Sequence, residues 1–188
     1  MARVPLLVLV AALSLLAAGC GGGSDEAEAP EGTPPAEWVT TVCGALDDWQ
    51  TSLQTKAQGL PQMVLQADSP EDAKNQITDF LDEVVDETQT MIDEVDEAGK
   101  PAVDAGERVR TAVHARLLKV KAAFENARAQ VDQVPTDNPL AFQQQLTQIG
   151  QDLAAQGQAL GDVLGSADAA PLRNAIQNTE RCESFNGS

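Results

Sequence analysis

From residue 36 almost to its C terminus, the chain repeats hydrophobic residues every three or four positions. This is the spacing of one face of an α-helix. The four stripes are Trp38, Val42, Leu46, Trp49, Leu53 and Ala57; Ala73, Ile77, Phe80, Leu81, Val84, Thr88, Met91 and Val95; Val109, Val113, Leu117, Val120, Phe124, Ala127, Val131 and Val134; and Phe142, Leu146, Ile149, Leu153, Gly157, Leu160 and Leu164. Because no stretch alternates with the period of a β-strand, the pattern predicts an all-α protein.

Helix-capping and helix-breaking residues separate the stripes. The first helix is expected to end near residues 59–61 (Gly-Leu-Pro). Ser69 followed by Pro70 is typical of an N-cap with proline at the first helical position. Gly99 and Pro101 are expected to stop the second helix, because glycine favours the C-cap and proline cannot continue the helix.

The later boundaries follow the same logic. Pro135 ends the third stripe, residues 136–139 (Thr-Asp-Asn-Pro) predict a turn and a further cap, and a short last helix near 171–179 leads to Cys182. Four amphipathic helices joined by short connections predict an antiparallel four-helix bundle with a short extra C-terminal helix.

The first residues have the pattern of an export signal. A basic start, an apolar run from Val4 to Ala18 and small residues before Cys20 are typical of a secretory signal peptide. Residues 16–20 (Leu-Ala-Ala-Gly-Cys) resemble the bacterial lipobox, in which the chain is cut before a cysteine that receives lipid. That resemblance implies a signal peptide at 1–19 and lipidation at Cys20, with an ordinary secretory signal as the alternative.

Residues 20–35 are predicted to be a flexible tether, and residues 36–188 the helical domain. The tether is rich in Gly, Pro and Glu and has no apolar periodicity. Such composition buries too little apolar surface to offset the entropy cost of ordering. Two acyl chains at Cys20 would hold the protein stably on a bilayer, so we expect it at the outer face of the cytoplasmic membrane.

Two further cysteines, Cys43 and Cys182, lie near the two ends of the predicted domain. Thiols of exported proteins tend to pair in oxidising compartments, so we expect a disulfide between them. Two free thiols are the alternative. The sequence contains no CxxC motif or Cys/His cluster of the kind that binds zinc.

The composition narrows the classes of partner. Lys and Arg number 12 against 29 Asp and Glu, a formal net charge of −17. Nucleic-acid phosphates repel such a chain, because binding to them depends on Lys and Arg, so we expect no nucleic-acid partner. Acidic residues concentrate on the second helix and basic residues on the third. Facing helices could pair these charges, although each exposed pair contributes only about 0–1 kcal/mol.

The sequence also resembles a known group of proteins. The likeness rests on residues 38–49 (Trp-Val-Thr-Thr-Val-Cys-Gly-Ala-Leu, ending at Trp49), residues 99–101 (Gly-Lys-Pro), residues 135–142 (Pro-Thr-Asp-Asn-Pro, ending at Phe142) and the late Cys182. These segments are similar to those of small secreted lipoproteins of actinobacteria. The resemblance implies location and class, and it brings no assigned activity.

Catalytic and metal-binding motifs are missing from the sequence. It has no Gly-x-Ser-x-Gly, P-loop or Rossmann fingerprint, and residues 93–99 break the calcium-loop pattern at Val95. His114, the single histidine, is expected to be a half-exposed surface residue. We therefore expect neither an enzyme nor a metal or cofactor site.

Three features leave alternatives open. Gly157 and Gly161 place small residues on one side of the fourth helix, for close packing or for a cleft that admits a ligand. Trp38 and Trp49 are expected in the core, with an exposed partner-binding surface as the alternative. The leading functional expectation is a non-catalytic interaction or structural protein of the cell envelope, which presents an acidic surface to a protein partner. The alternative is a binding module for a small or lipidic ligand.

Overall fold

The computed structural model describes residues 30–158 and 169–185. These residues form five α-helices: α1 (Pro35–Gln66), α2 (Pro70–Glu97), α3 (Gly106–Gln133), α4 (Pro139–Gln158) and α5 (Ala170–Gln177), followed by a short 3₁₀ helix (Glu180–Phe185). The described part of the chain contains no β-strand, and Thr33 and Pro101 form an isolated bridge. The all-α prediction is confirmed.

The predicted caps are present in the structure. Ser69 Oγ accepts a hydrogen bond from the Asp72 amide at 3.1 Å, and Pro70 is the first residue of α2. Gly99 follows α2 with a φ of 69°, a left-handed conformation that glycine adopts without steric cost. The Asn138 side chain accepts hydrogen bonds from two amides at the start of α4. These boundaries were predictable because each depends on a few adjacent residues.

The first helix continues past the stop that the sequence predicts. α1 extends to Gln66 with Pro61 inside it, because Leu60 and Val64 extend the apolar stripe and pack against the core. The proline removes the hydrogen bond to the carbonyl of Ala57. Ala57 is exposed, so water can satisfy that carbonyl.

Most of the stripe residues that the structure describes are buried in the core or packed against it. Ala57 is exposed, and Leu160 and Leu164 lie outside the described residues. Each helix packs on its neighbour in the chain from α1 to α4, and α5 and the 3₁₀ helix pack on α1. Trp38 is fully buried and Trp49 is 7% exposed, so the core prediction for both is confirmed and the exposed-surface alternative is wrong. A smaller cluster of Ala73, Val134 and Phe142 lies where α2, α3 and α4 meet.

The tether predicted for residues 20–35 ends earlier than expected. The Thr33 amide donates to the Lys100 carbonyl at 2.8 Å, and the Ala102 amide donates to the Thr33 carbonyl at 2.8 Å. Pro35 already begins α1. Residues 33–35 therefore belong to the folded body. Thr33 is held there by hydrogen bonds to residues 100 and 102, which the composition of the tether does not reveal.

Candidate functional site

The groove between α1 and α2 is electrically neutralised along one part of its length. Lys56 on α1 lies 2.6 Å from a carboxylate oxygen of Glu83 and 3.3 Å from one of Glu87, both on α2. Ser52 donates to Glu87 at 2.9 Å. The hydrogen bond to Glu83, followed by that to Glu87, raises the pKa of the Lys56 ammonium. Here the chain supplies its own cation for the carboxylates of α2.

Nearer the end of α2, the same groove opens into a cleft whose lining, within the described residues, includes no lysine or arginine. The cleft has a volume of about 390 Å³, and Glu37, Glu94 and Glu97 line it together with Thr33, Thr41, Ala45 and Ala98. We call it the acidic cleft. All three glutamates are exposed, and within the described residues none of them forms an ion pair. The cleft therefore combines three carboxylates with space beside them.

The position of the cleft strengthens its negative potential. α2 carries 11 acidic residues and one lysine, a net charge of −10 out of −17 for the whole chain. No basic residue lies in the last turn of α2, where Glu94 and Glu97 stand. Carboxylates at a helix C-terminus interact unfavourably with the helix dipole. A cation bound in the cleft would relieve this repulsion.

Thr33 borders both the acidic cleft and a set of hydrogen bonds that we call the latch. In the latch, the Thr33 hydroxyl donates to the Ala98 carbonyl at 2.6 Å, alongside its two backbone bonds to Lys100 and Ala102. The indole of Trp38 donates to the Gly99 carbonyl at 2.9 Å. The carbonyls of residues 98–100, which follow α2, therefore all accept hydrogen bonds from Thr33 or Trp38.

The predicted disulfide joins Cys43 on α1 to Cys182 in the 3₁₀ helix, with Cα atoms 5.2 Å apart. Both cysteines are fully buried. Arg181 beside it donates to Asp47 at 3.1 Å and also pairs with Asp48. The C-terminal segment is therefore held on α1 by a covalent bond and by charges.

The charge pairing predicted between α2 and α3 is present between Arg128 and Asp82, whose charged groups lie 3.0 Å apart. His114 Nδ1 lies 2.9 Å from a carboxylate oxygen of Asp96, a hydrogen bond that the sequence did not predict. His114 is half-exposed, as expected. The pairing of α2 with Lys56 of α1 was not predicted, because a single lysine in the first helix gives no sequence signal of which helix it faces.

Cys20 and Gly161 lie outside the described residues, as do the surroundings of Gly157, so the lipid, packing and cleft predictions for them stay predictions. The acidic cleft was missed from the sequence as a site. Its residues Glu94 and Glu97 were visible as part of an acidic helix, but Glu37 joins them only through the packing of α1.

No group of three His, Cys, Asp or Glu side chains within residues 30–158 and 169–185 is arranged to hold a metal ion. None of the helices in that same part of the chain has a stretch both long and apolar enough to cross a bilayer. Comparison of the chain with protein families, with curated proteins and with solved structures finds no match.

Proposed function

We propose that the chain is a lipid-anchored, non-catalytic protein of the cell envelope that binds a basic segment of a protein partner in its acidic cleft. Removal of residues 1–19 would leave Cys20 at the N terminus to carry the lipid at the outer face of the cytoplasmic membrane. The class would be that of the actinobacterial lipoproteins that the sequence resembles.

The observation that carries the proposal is the contrast between the two parts of the α1–α2 groove. Where Glu83 and Glu87 face α1, Lys56 supplies the positive charge. At Glu94 and Glu97, the cleft holds a third carboxylate and open space instead. A lysine or arginine side chain from a partner would pair with these carboxylates, as Lys56 pairs with Glu83 and Glu87. Such pairing sets specificity and association rate more than affinity.

The proposal includes the architecture in which the cleft is embedded, an antiparallel four-helix bundle. The hydrogen bonds of Trp38 with Gly99, Trp49 with Thr88 and Lys56 with Glu83 support opposite directions for α1 and α2. As the residue number rises along α1, that of its partner falls along α2. The sequential packing of α1 to α4 also supports a bundle.

The test of partner binding is photo-crosslinking in the envelope with two matched triple variants. In one, Glu37, Glu94 and Glu97 become Gln; in the other, the exposed Asp68, Asp79 and Asp137 become Asn, with the same change in net charge. We expect the first variant to lose its crosslinked partner and the second to keep it. If both variants lose the crosslinked partner equally, the loss follows from the change in net charge, and a binding site in the cleft is contradicted.

The anchor is tested separately. Cys20→Ala is expected to release the protein from the membrane fraction, and continued retention would contradict lipidation at that residue. The ligand-carrier alternative calls for a largely apolar, enclosing pocket, whereas the acidic cleft is open and lined by carboxylates. In native mass spectrometry, a stoichiometric extra mass that disappears on denaturation would favour the carrier over the proposed function.

A further inference from the structure

Two segments of the body are almost free of charge. They are residues 50–66, the second half of α1, and residues 139–155 of α4, and together we call them the neutral face. Each segment contains one charged residue, Lys56 or Asp152, whereas 22% of the whole chain is charged. Lys56 is already paired with carboxylates of α2. The neutral face therefore contrasts sharply with α2, which carries a net charge of −10.

The two segments of the neutral face lie over the same part of the core. Val64 of α1 and Leu146 and Ile149 of α4 all pack against the small buried cluster where α2, α3 and α4 meet. Among the described residues, α4 packs on α3 rather than on α1. The two segments are therefore neighbours that cover one cluster without closing against each other.

Apolar side chains of the neutral face are left partly uncovered. Within the described residues, three of the large apolar side chains that stand exposed belong to it: Met63, Leu65 and Leu140. Leu65 is 81% exposed and Leu140 71%. Others are only half-buried, namely Leu53, Leu60, Val64, Leu146, Ile149 and Leu153. Exposed apolar side chains with few charges among them are typical of the centre of a protein–protein interface.

Glutamine recurs at every fourth position of the α1 segment, at Gln50, Gln54, Gln58, Gln62 and Gln66. All of them except Gln50 are exposed. Side chains four residues apart form a ridge along a helix, and two such ridges interdigitate in the commonest mode of helix packing. A glutamine amide both donates and accepts hydrogen bonds, so a glutamine ridge can bond to a copy of itself.

We propose that the neutral face is a homodimer interface, in which two copies of the chain meet about a two-fold axis. In such an interface a surface meets itself, and like charges placed opposite each other weaken the association. The acidic outer side of α2 fails this condition, whereas the neutral face fulfils it. Neither the acidic cleft nor the lipid anchor of the proposed function enters into this dimer.

A lipid surface is the poorer occupant of the neutral face. Helices that lie on membranes carry Lys and Arg on their polar side. The single lysine here is held by Glu83 and Glu87. A second copy needs no such charge, because apolar side chains and amides can meet their own equivalents.

Sedimentation velocity of the chain from Cys20 onward, with Cys20→Ser to prevent an intermolecular disulfide, measures the dimer. We expect a monomer–dimer equilibrium at concentrations between about 1 μM and about 1 mM. Leu140→Glu should raise the dimer Kd by at least about tenfold, because it places two carboxylates in a two-fold interface. The change should not disturb folding, since Leu140 is exposed and a carboxylate in the first turn of a helix is favourable.

Leu65→Glu is the second variant of the neutral face and should weaken the dimer in the same way. The matched control is Leu118→Glu, which makes the same change at an exposed leucine of α3 and should leave the Kd nearly unchanged. A monomeric parent throughout this concentration range would overturn the proposal. Equal weakening by Leu118→Glu would overturn it as well, because net charge alone would then account for the effect.

Salt distinguishes this dimer from binding at the acidic cleft. Each copy is strongly acidic, so repulsion between the copies opposes the dimer, and added sodium chloride screens that repulsion. The dimer Kd should therefore fall as salt rises, whereas attraction of a basic segment to the cleft would weaken. The variant with Glu37, Glu94 and Glu97 changed to Gln should still dimerise. A dimer that weakens with salt or is lost in that variant would overturn the neutral face as its interface.

Co-sedimentation with phosphatidylcholine vesicles tests the competing occupant. The Cys20→Ser chain carries no anchor, so any binding must come from the body itself. Absence of vesicle binding by a chain that dimerises supports the proposal. Vesicle binding by a monomeric chain, abolished by Leu140→Glu, would assign the neutral face to lipid and overturn the dimer.

Discussion

The indole nitrogen of Trp49 donates a hydrogen bond to the hydroxyl of Thr88 at 3.1 Å, and the same hydroxyl donates to the Val84 carbonyl at 2.6 Å. Thr88 is fully buried, and Trp49 is 7% exposed. The pair links α1 to α2 inside the core and satisfies the polar edge of the tryptophan. Thr88 therefore stands on the apolar stripe of α2 because its hydroxyl accepts the indole hydrogen bond of Trp49.

Thr88→Val should destabilise the protein although it keeps the shape of the side chain. It leaves the indole N–H buried without an acceptor, which costs about 1–3 kcal/mol of unfolding free energy. Urea denaturation followed by far-UV circular dichroism measures the loss. Thr90→Val, on the exposed side of the same helix, should stay within about 0.5 kcal/mol of the parent. Equal stability of Thr88→Val and the parent would refute the hydrogen bond.

Replacing both Cys43 and Cys182 by Ala should lower the free energy of unfolding by about 2–5 kcal/mol, the usual range for a native disulfide. The loss should begin locally, because α5 and the 3₁₀ helix pack mainly on α1. Hydrogen exchange should therefore quicken first at Leu172 and Ile176. If these amides keep their protection while the centre of α2 loses it, the C-terminal segment is held by something other than the disulfide.

Gly106 and Gly150 offer a matched pair of glycine-to-alanine changes. A Cβ at Gly106 would lie 2.1 Å from the Pro101 carbonyl oxygen, whereas one at Gly150 meets nothing within 4 Å. We expect Gly106→Ala to cost about 1–3 kcal/mol, as overpacking does. Gly150→Ala should instead gain up to about 1 kcal/mol from helix propensity. Thermal denaturation distinguishes the two, and a shift of the same sign in both would contradict the tight α2–α3 turn.

The ion pairs of Lys56 predict a pH dependence with a definite sign. Its pKa is raised above the ordinary 10.5, first by the hydrogen bond to Glu83 and then by that to Glu87. A raised pKa in the folded state means that the contribution to stability is complete below pH 10.5. That contribution is lost as the pH rises through the folded-state pKa. The stability difference between the parent and Lys56→Gln should therefore shrink in strongly alkaline solution.

Urea midpoints of both proteins at neutral pH and above pH 10.5 measure this difference. Lys119→Gln, on the exposed face of α3, is the control that removes the same charge. Because Lys56 is close to solvent, added salt should also reduce its effect at neutral pH. A difference that persists unchanged into strongly alkaline solution would mean that Lys56 acts through packing rather than through charge.

The sequence was informative wherever structure depends on neighbours in the chain. The N-cap at Ser69 and the left-handed Gly99 needed only adjacent residues to be predicted. The predicted end of α1 near Pro61 was wrong, because whether a proline ends a helix depends on the packing of residues around it. Here Leu60 and Val64 pack against the core and the helix continues. Thr33 was unpredictable for the same reason, since its hydroxyl bonds a carbonyl 65 residues further along the chain.

The acidic cleft shows the same limit for function. The carboxylates of α2 were evident as a charged helix, and an acidic surface for a partner was expected from them. Which of them would be neutralised depends on the residue of α1 that lies opposite. Lys56 meets Glu83 and Glu87, whereas Ala45 and Thr41 border Glu94 and Glu97. The difference between the neutralised and the unneutralised carboxylates of α2 therefore arises from the packing of α1 on α2 and cannot be predicted from the local sequence.

The bond between Cys43 and Cys182 encloses nearly the whole folded body, with a sequence separation of 139 residues. A protease that cuts one peptide bond in any connection between α1 and the 3₁₀ helix therefore separates no fragment from the molecule. The two pieces stay covalently joined, and the downstream piece remains attached through Cys43 to the first helix. With the anchor proposed for Cys20, a nicked chain would keep its downstream helices on the membrane until the disulfide is reduced or the chain is cut before residue 43.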